Sequence, residues 1–68
     1  MINSNLLKSH MALHSVTQLE MAIRLGISTS TLNNKINNKV HFTVEEAKQI
    51  CTILQISDND EKANIFFS

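Results

Sequence analysis

With 68 residues and a formal net charge of zero, the chain is one domain in size, too small for two hydrophobic cores. Its 43% hydrophobic content, absence of proline, single glycine and many Ser, Thr and Asn residues argue against a disordered or all-β chain and for short helices joined by tight turns. A lone cysteine, Cys51, excludes an internal disulfide framework, and no apolar run approaches the roughly 20 residues of a membrane span. The first residues hold no signal-peptide-like apolar block, so the expected location is the cytoplasm.

In chain order, the first helix is expected to start at Asn3, with Ile2 and Leu7 as a hydrophobic staple around that cap, and to run to about His14. The second covers about Gln18 to Leu25. Thr17 and Glu20 have the spacing of a capping box, Val16 and Met21 that of a staple, and Gly26 ends the helix because glycine enters the left-handed region without a Cβ penalty. Ser28 then opens a third helix over about Thr29 to Asn37, stapled by Ile27 and Leu32 and ended by Asn37 and Asn38. Phe42, Thr43, Glu46 and Ala47 repeat staple and box before a fourth helix whose apolar stripe is Ala47, Ile50, Cys51 and Leu54. Ser57, followed by Asp58 and Asp60, marks a fifth start, although Glu61 sits where a staple needs an apolar residue.

Only two residues separate Leu25 from the cap at Ser28, so the second and third helices cannot be collinear. Their apolar faces, Met21, Ala22 and Leu25 on one and Leu32 and Ile36 on the other, must share one core, and the helices must cross. The third helix carries Thr29, Ser30, Asn33, Asn34 and Asn37, which are mediocre or poor helix formers; either they form a plain polar outer face or they serve another purpose. Charge is segregated along the chain. Residues 1 to 44 hold Lys8, Arg24, Lys35 and Lys39 against Glu20 alone, whereas residues 45 to 68 hold Glu45, Glu46, Asp58, Asp60 and Glu61 against Lys48 and Lys62. Such polarity would turn the front half of the domain toward a polyanion.

The segment from about residue 17 to 38 resembles the helix-turn-helix of the Cro/CI-type repressor family, also called the XRE family and common in phages and prophages. The resemblance rests on Gln18 opening the first helix of the motif, Ala22 where the helices touch, Gly26 in the turn, Ile27 and Ser28 after it, and Leu32 and Ile36 in the second helix. It implies an all-α, compact four- to five-helix domain of the lambda-repressor-like type over residues 1 to 68. The implied function is that of a Cro-like repressor in a phage or prophage genetic switch, binding an operator in double-stranded DNA as a homodimer. Carried over position by position, Thr29, Ser30, Asn33 and Asn34 are candidates for base contacts, since Asn pairs with adenine N6 and N7 and hydroxyls suit several base edges. Gln18, Lys35, Asn37 and Lys39 are candidates for phosphate contacts, with Lys35 placed for either role. No arginine lies on this helix, so the strongest guanine readout is missing.

Leu19 and Ile23 depart from the resemblance, because many relatives look polar or charged there. With Leu6 and Leu13 they make an apolar patch, expected to pack under the tail residues Ile65, Phe66 and Phe67 and otherwise suited to a partner repressor protein. The same tail is a candidate dimer contact, as the resemblance implies. His10 and His14 have a zinc-compatible spacing without a third ligand nearby, and no nucleophile, base and orienting group form a set. No metal, no cofactor and no enzymatic activity are expected.

Overall fold

In the computed structural model, which describes residues 1–67, every helix begins on a side chain that accepts a hydrogen bond from its first turn. Asn3 opens α1 (Ser4–Leu13), Thr17 opens α2 (Gln18–Leu25), Ser28 opens α3 (Thr29–Ile36), Thr43 opens α4 (Val44–Ile53) and Asp58 opens α5 (Asn59–Phe66). Both capping boxes form: Glu20 accepts from the Thr17 N–H at 3.0 Å and Glu46 from the Thr43 N–H at 2.9 Å. The fifth start lies one residue beyond Ser57. There the Asp58 carboxylate accepts from the Asp60 N–H at 3.0 Å, and an ionised oxygen is the better partner for the positive end of a helix. The described residues contain no strand, and the fold is all-α.

Four helices stop in the same way. Gly26 adopts φ 72°; its N–H donates to the Ile23 carbonyl and the Ile27 N–H to the Ala22 carbonyl, the paired bonds of a Schellman ending. Ser15, Asn38 and Gln55, at φ 55°, 62° and 57°, end α1, α3 and α4 with the same pair of bonds. Only the glycine is free of left-handed strain, which costs an L-residue about 1–2 kcal/mol. The endings at Ser15 and Gln55 hold because the next residues, Val16 and Ile56, are drawn against the core, and the one at Asn38 holds through its side-chain bonds to Ile2.

That core is one cluster. Leu7 and Met11 of α1, Met21 and Ala22 of α2, Leu32 and Ile36 of α3, Ile50 and Cys51 of α4, Leu54 capping its end, Ile56 in the segment that follows and Ile65 of α5 are all buried. Ile65 therefore belongs to the interior and is not a surface for a second copy; among the tail residues only Phe66, half-buried, and Phe67, 83% exposed, reach solvent. The tail also leaves the α2 patch uncovered. Leu19 and Ile23 are 59% and 69% exposed, because α5 packs beside α1 and its apolar side is spent on that contact.

The N-terminal residues clasp the ends of two helices. The Ile2 N–H donates to the Asn38 Oδ1 at 2.8 Å and the Asn38 Nδ2 donates to the Ile2 carbonyl at 3.1 Å, so one side-chain amide mimics a strand neighbour. The Asn3 N–H donates to the Ile65 carbonyl at 2.7 Å, and the Ser4 hydroxyl to the Ile36 carbonyl. Asn38→Ala keeps a Cβ in the same left-handed backbone and deletes the amide bridge. Urea unfolding should then show about 1–3 kcal/mol less stability, from two net hydrogen bonds; an unchanged midpoint would mean that the clasp contributes nothing.

Candidate nucleic-acid interface

Successive residues of a helix point about 100° apart, and the sequence of α3 divides along that rotation into two faces. Leu32 and Ile36 are fully buried and Lys35 is 8% exposed on one side; Ser30, Asn33 and Asn37 are exposed and Asn34 half-exposed away from it, and Thr29 is exposed as the first residue of the helix. Each buried aliphatic chain contributes about 1.5–3 kcal/mol relative to exposure, enough to hold a helix whose outer residues favour helix weakly. The Ser28 hydroxyl accepts from the Thr31 N–H at 3.1 Å and donates to the Thr31 Oγ1 at 2.9 Å, which fixes the start of the helix without using Thr29 or Ser30. Along the outer face the Asn37 Nδ2 donates to the Asn33 Oδ1 at 3.3 Å. Asn33 keeps its two amide hydrogens and one lone pair for an outside partner.

Lys35 requires a correction. Its ammonium does not face outward: it forms an ion pair with Glu46 of α4 at 2.5 Å and sits 6.0 Å from the centroid of the Phe42 ring. The penultimate position of α3 falls on the inner flank, where a lysine stem adds to the packing and its head finds a carboxylate. Phe42 in turn meets Phe66 edge to face, with ring centroids 6.0 Å apart. Lys35 is thus withdrawn from both phosphate and base contacts.

The start of α2 brings in a residue that spacing alone does not reveal. Gln18 is half-buried and shares a shallow recess with Lys8, Met11, Ala12 and Val16, so the exposed Lys8 of α1 stands beside the first turn of α2. Its sequence signal was only its place between the buried Leu7 and Met11; the approach of α1 to α2 exists only in the fold. Glu20 occupies part of the same helix start. The Thr17 backbone N–H, then the Thr17 hydroxyl, hold its carboxyl below the usual range, with Arg24 adding a weaker pull. Lys39 is exposed just beyond α3. The cations of the front half left outside the Glu46 pair are Lys8, Arg24 and Lys39, all exposed.

Residues of α4, α5 and the segments that follow them line an apolar groove of about 510 Å3, among them Val44, Ala47, Cys51, Ile56, Phe66 and Phe67, with Lys48 and Lys62. Val44 and Phe67 are exposed, and burial pushes the Cys51 thiol up from its ordinary value. Among the described residues no helix is long and apolar enough to cross a membrane, and no three His, Cys, Asp or Glu side chains are grouped so as to hold a metal ion.

Two crossed short helices turning at a left-handed glycine, with the second presenting a polar face, coincide with what comparison with known families finds. Residues 6–60 match the model of the Cro/C1-type HTH DNA-binding domain. The chain belongs to that family. Neither curated proteins nor solved structures give a match. As a Cro/C1-type domain the protein is a DNA-binding regulator, and the match takes in α2, α3, α4 and nearly all of α1, stopping early in α5.

The Lys35–Glu46 pair makes the domain sensitive to acid. Burial alone would raise the Glu46 carboxyl, but the Lys35 ammonium and the Thr43 N–H outweigh it and hold the group below its ordinary value of 4.5. A folded value below the unfolded one contributes stability that is present above pH 4.5 and is lost as pH falls through the folded value. The melting temperature of the native protein should therefore drop below pH 4.5, and that of Glu46→Gln, lower at neutral pH, should drop less over the same window. Parallel pH profiles for the two proteins would contradict this.

Proposed function

We propose that this Cro/C1-type domain is a sequence-specific transcriptional regulator, a Cro-like repressor of a phage or prophage genetic switch, acting in the cytoplasm. The observation that carries the reading is the outer face of α3, where Thr29, Ser30, Asn33 and the half-exposed Asn34 offer hydrogen-bonding groups not spent on the core. These four residues contact base edges in the major groove, with Asn33 on adenine and the Thr29 methyl on thymine. Gln18, Asn37, Lys39 and Lys8 hold phosphates on either side. Few cations take part, so affinity for unrelated DNA is low and much of the specificity comes from amides, hydroxyls and DNA shape.

One copy reads one half-site, and a homodimer places two α3 helices about 34 Å apart on a palindromic operator. The groove lined by α4 and α5, with the exposed Val44 and Phe67 and with Phe66 in its lining, supports this side as the dimer contact in place of the buried Ile65. The test is a footprint on the DNA flanking the protein's own gene: a protected palindrome at micromolar protein and low salt is expected, and no protected site would end the proposal. Asn33→Ala should weaken specific binding by about 1–3 kcal/mol and leave non-specific binding nearly unchanged. Lys39→Ala should weaken both alike and lower the salt slope by about 1.

A second reading is favoured by one observation, the exposure of Leu19 and Ile23 one turn apart on α2. In it the protein modulates a partner repressor by binding it through this apolar pair. Leu19→Lys with Ile23→Lys should abolish co-purification with the neighbouring regulator while leaving the gel shift of the protein alone intact; an undiminished complex would discard this reading.

A further inference from the structure

We infer that Lys35 and Glu46 act as a positioning pair for base readout, setting where α3 stands relative to the body without touching DNA. The inference rests on the DNA-reading proposal above. Glu46 serves two partners with one oxygen: it accepts from the Thr43 N–H at 2.9 Å as part of the α4 cap and from the Lys35 ammonium of α3. The start of α4 and the last turn of α3 are therefore pinned to the same carboxylate. Phe42, in the intervening segment, lies against the Lys35 ammonium and meets Phe66 of α5 edge to face, so the pair also ties α3 to the last helix.

Elsewhere the inner face of α3 is aliphatic. Leu32 and Ile36 pack without direction, and an apolar contact tolerates small rolls and slides of the helix. A charge-assisted bond from a lysine that is only 8% exposed does not, because a displaced ammonium would lose its partner where little water reaches it. The pair lies on the opposite flank of α3 from Asn33, so a roll of the helix about its axis carries that side chain directly toward or away from a base edge. Replacing both partners of a buried pair by apolar groups is often neutral in stability, whereas removing one strands a charge, so what the pair adds over an apolar contact here is a fixed geometry.

The test compares the full chain with Lys35→Met, which fills similar volume against Phe42 and leaves Glu46 its Thr43 bond. The wild-type protein first selects its preferred duplex from a random-sequence pool, and an unrelated duplex of equal length reports non-specific binding. Lys35→Met, which leaves the Glu46 carboxylate without its cation, should melt below wild type yet stay folded at the binding temperature, lose about tenfold in the ratio of specific to non-specific affinity, and keep the wild-type salt slope. If it does not fold, the double variant Lys35→Met with Glu46→Gln, free of the orphaned carboxylate, carries the same expectation. A folded variant with an unchanged ratio overturns the positioning role. A salt slope lower by about 0.9 per subunit, with both affinities reduced alike, overturns it in favour of a phosphate contact. A wild-type protein that selects no duplex removes the DNA-reading proposal as well, whereas a preferred duplex that both proteins bind equally well removes the pair alone.

Discussion

A helix of eight residues does not persist alone in water, so each helix of this domain exists only as long as one of its faces is buried against the others. That constraint weighs most on α3. Its outer positions hold Thr, Ser and Asn, which compete with helical hydrogen bonds, and its inner positions supply only Leu32, Ile36 and the stem of Lys35. The helix is held from within, by two aliphatic chains and one ion pair, and from its ends, by Ser28 at the start and the Asn38 clasp at the stop. Because the outer face adds no side chain to the core, that face is available for recognition.

The cap residues were legible in the sequence because a side-chain oxygen bonding to the N–H two or three positions later is a local event. Asn3, Thr17, Ser28 and Thr43 take the places that spacing assigns them, and Gly26 closes α2 as its lack of a Cβ requires. The stops at Ser15 and Gln55 were not legible. Neither residue prefers the left-handed region, and both adopt it because the apolar residue that follows is drawn into the core, which is a tertiary effect. Asn37 and Asn38 marked the end of α3, but the bridge from Asn38 to Ile2 spans 36 residues and leaves no trace in local pattern.

The same distinction separates what was foreseen at the interface from what was not. Ser30, Asn33 and Asn37 lie on the exposed side because helical rotation turns them away from Leu32 and Ile36, and Thr29 is exposed as the first residue of the helix. Lys35 falls on the boundary of that rotation, where sequence favours solvent for a lysine and only the nearness of Glu46 reverses the preference. Lys8 approaches Gln18 through the packing of α1, and the tail fails to cover Leu19 and Ile23 because Ile65 is taken by the core. Withdrawing Lys35 also lowers the positive charge that helix-turn-helix and nucleic acid would share, so the neutral formal charge of the chain is matched by an interface of hydrogen-bonding groups with few cations around it.

The central claim is that the outer side of α3 meets the bases. An NMR titration of isotope-labelled protein with its selected duplex tests it directly, by following the side-chain amides of Asn33, Asn34 and Asn37 with the backbone amides of all five helices. The account predicts the largest shifts at Asn33, Thr29 and Ser30, smaller ones at Gln18, Lys39 and Lys8, and no loss of the Lys35–Glu46 contact. Shifts confined to α4 and α5, or to Leu19 and Ile23, with the α3 amides unmoved at saturation, would contradict it.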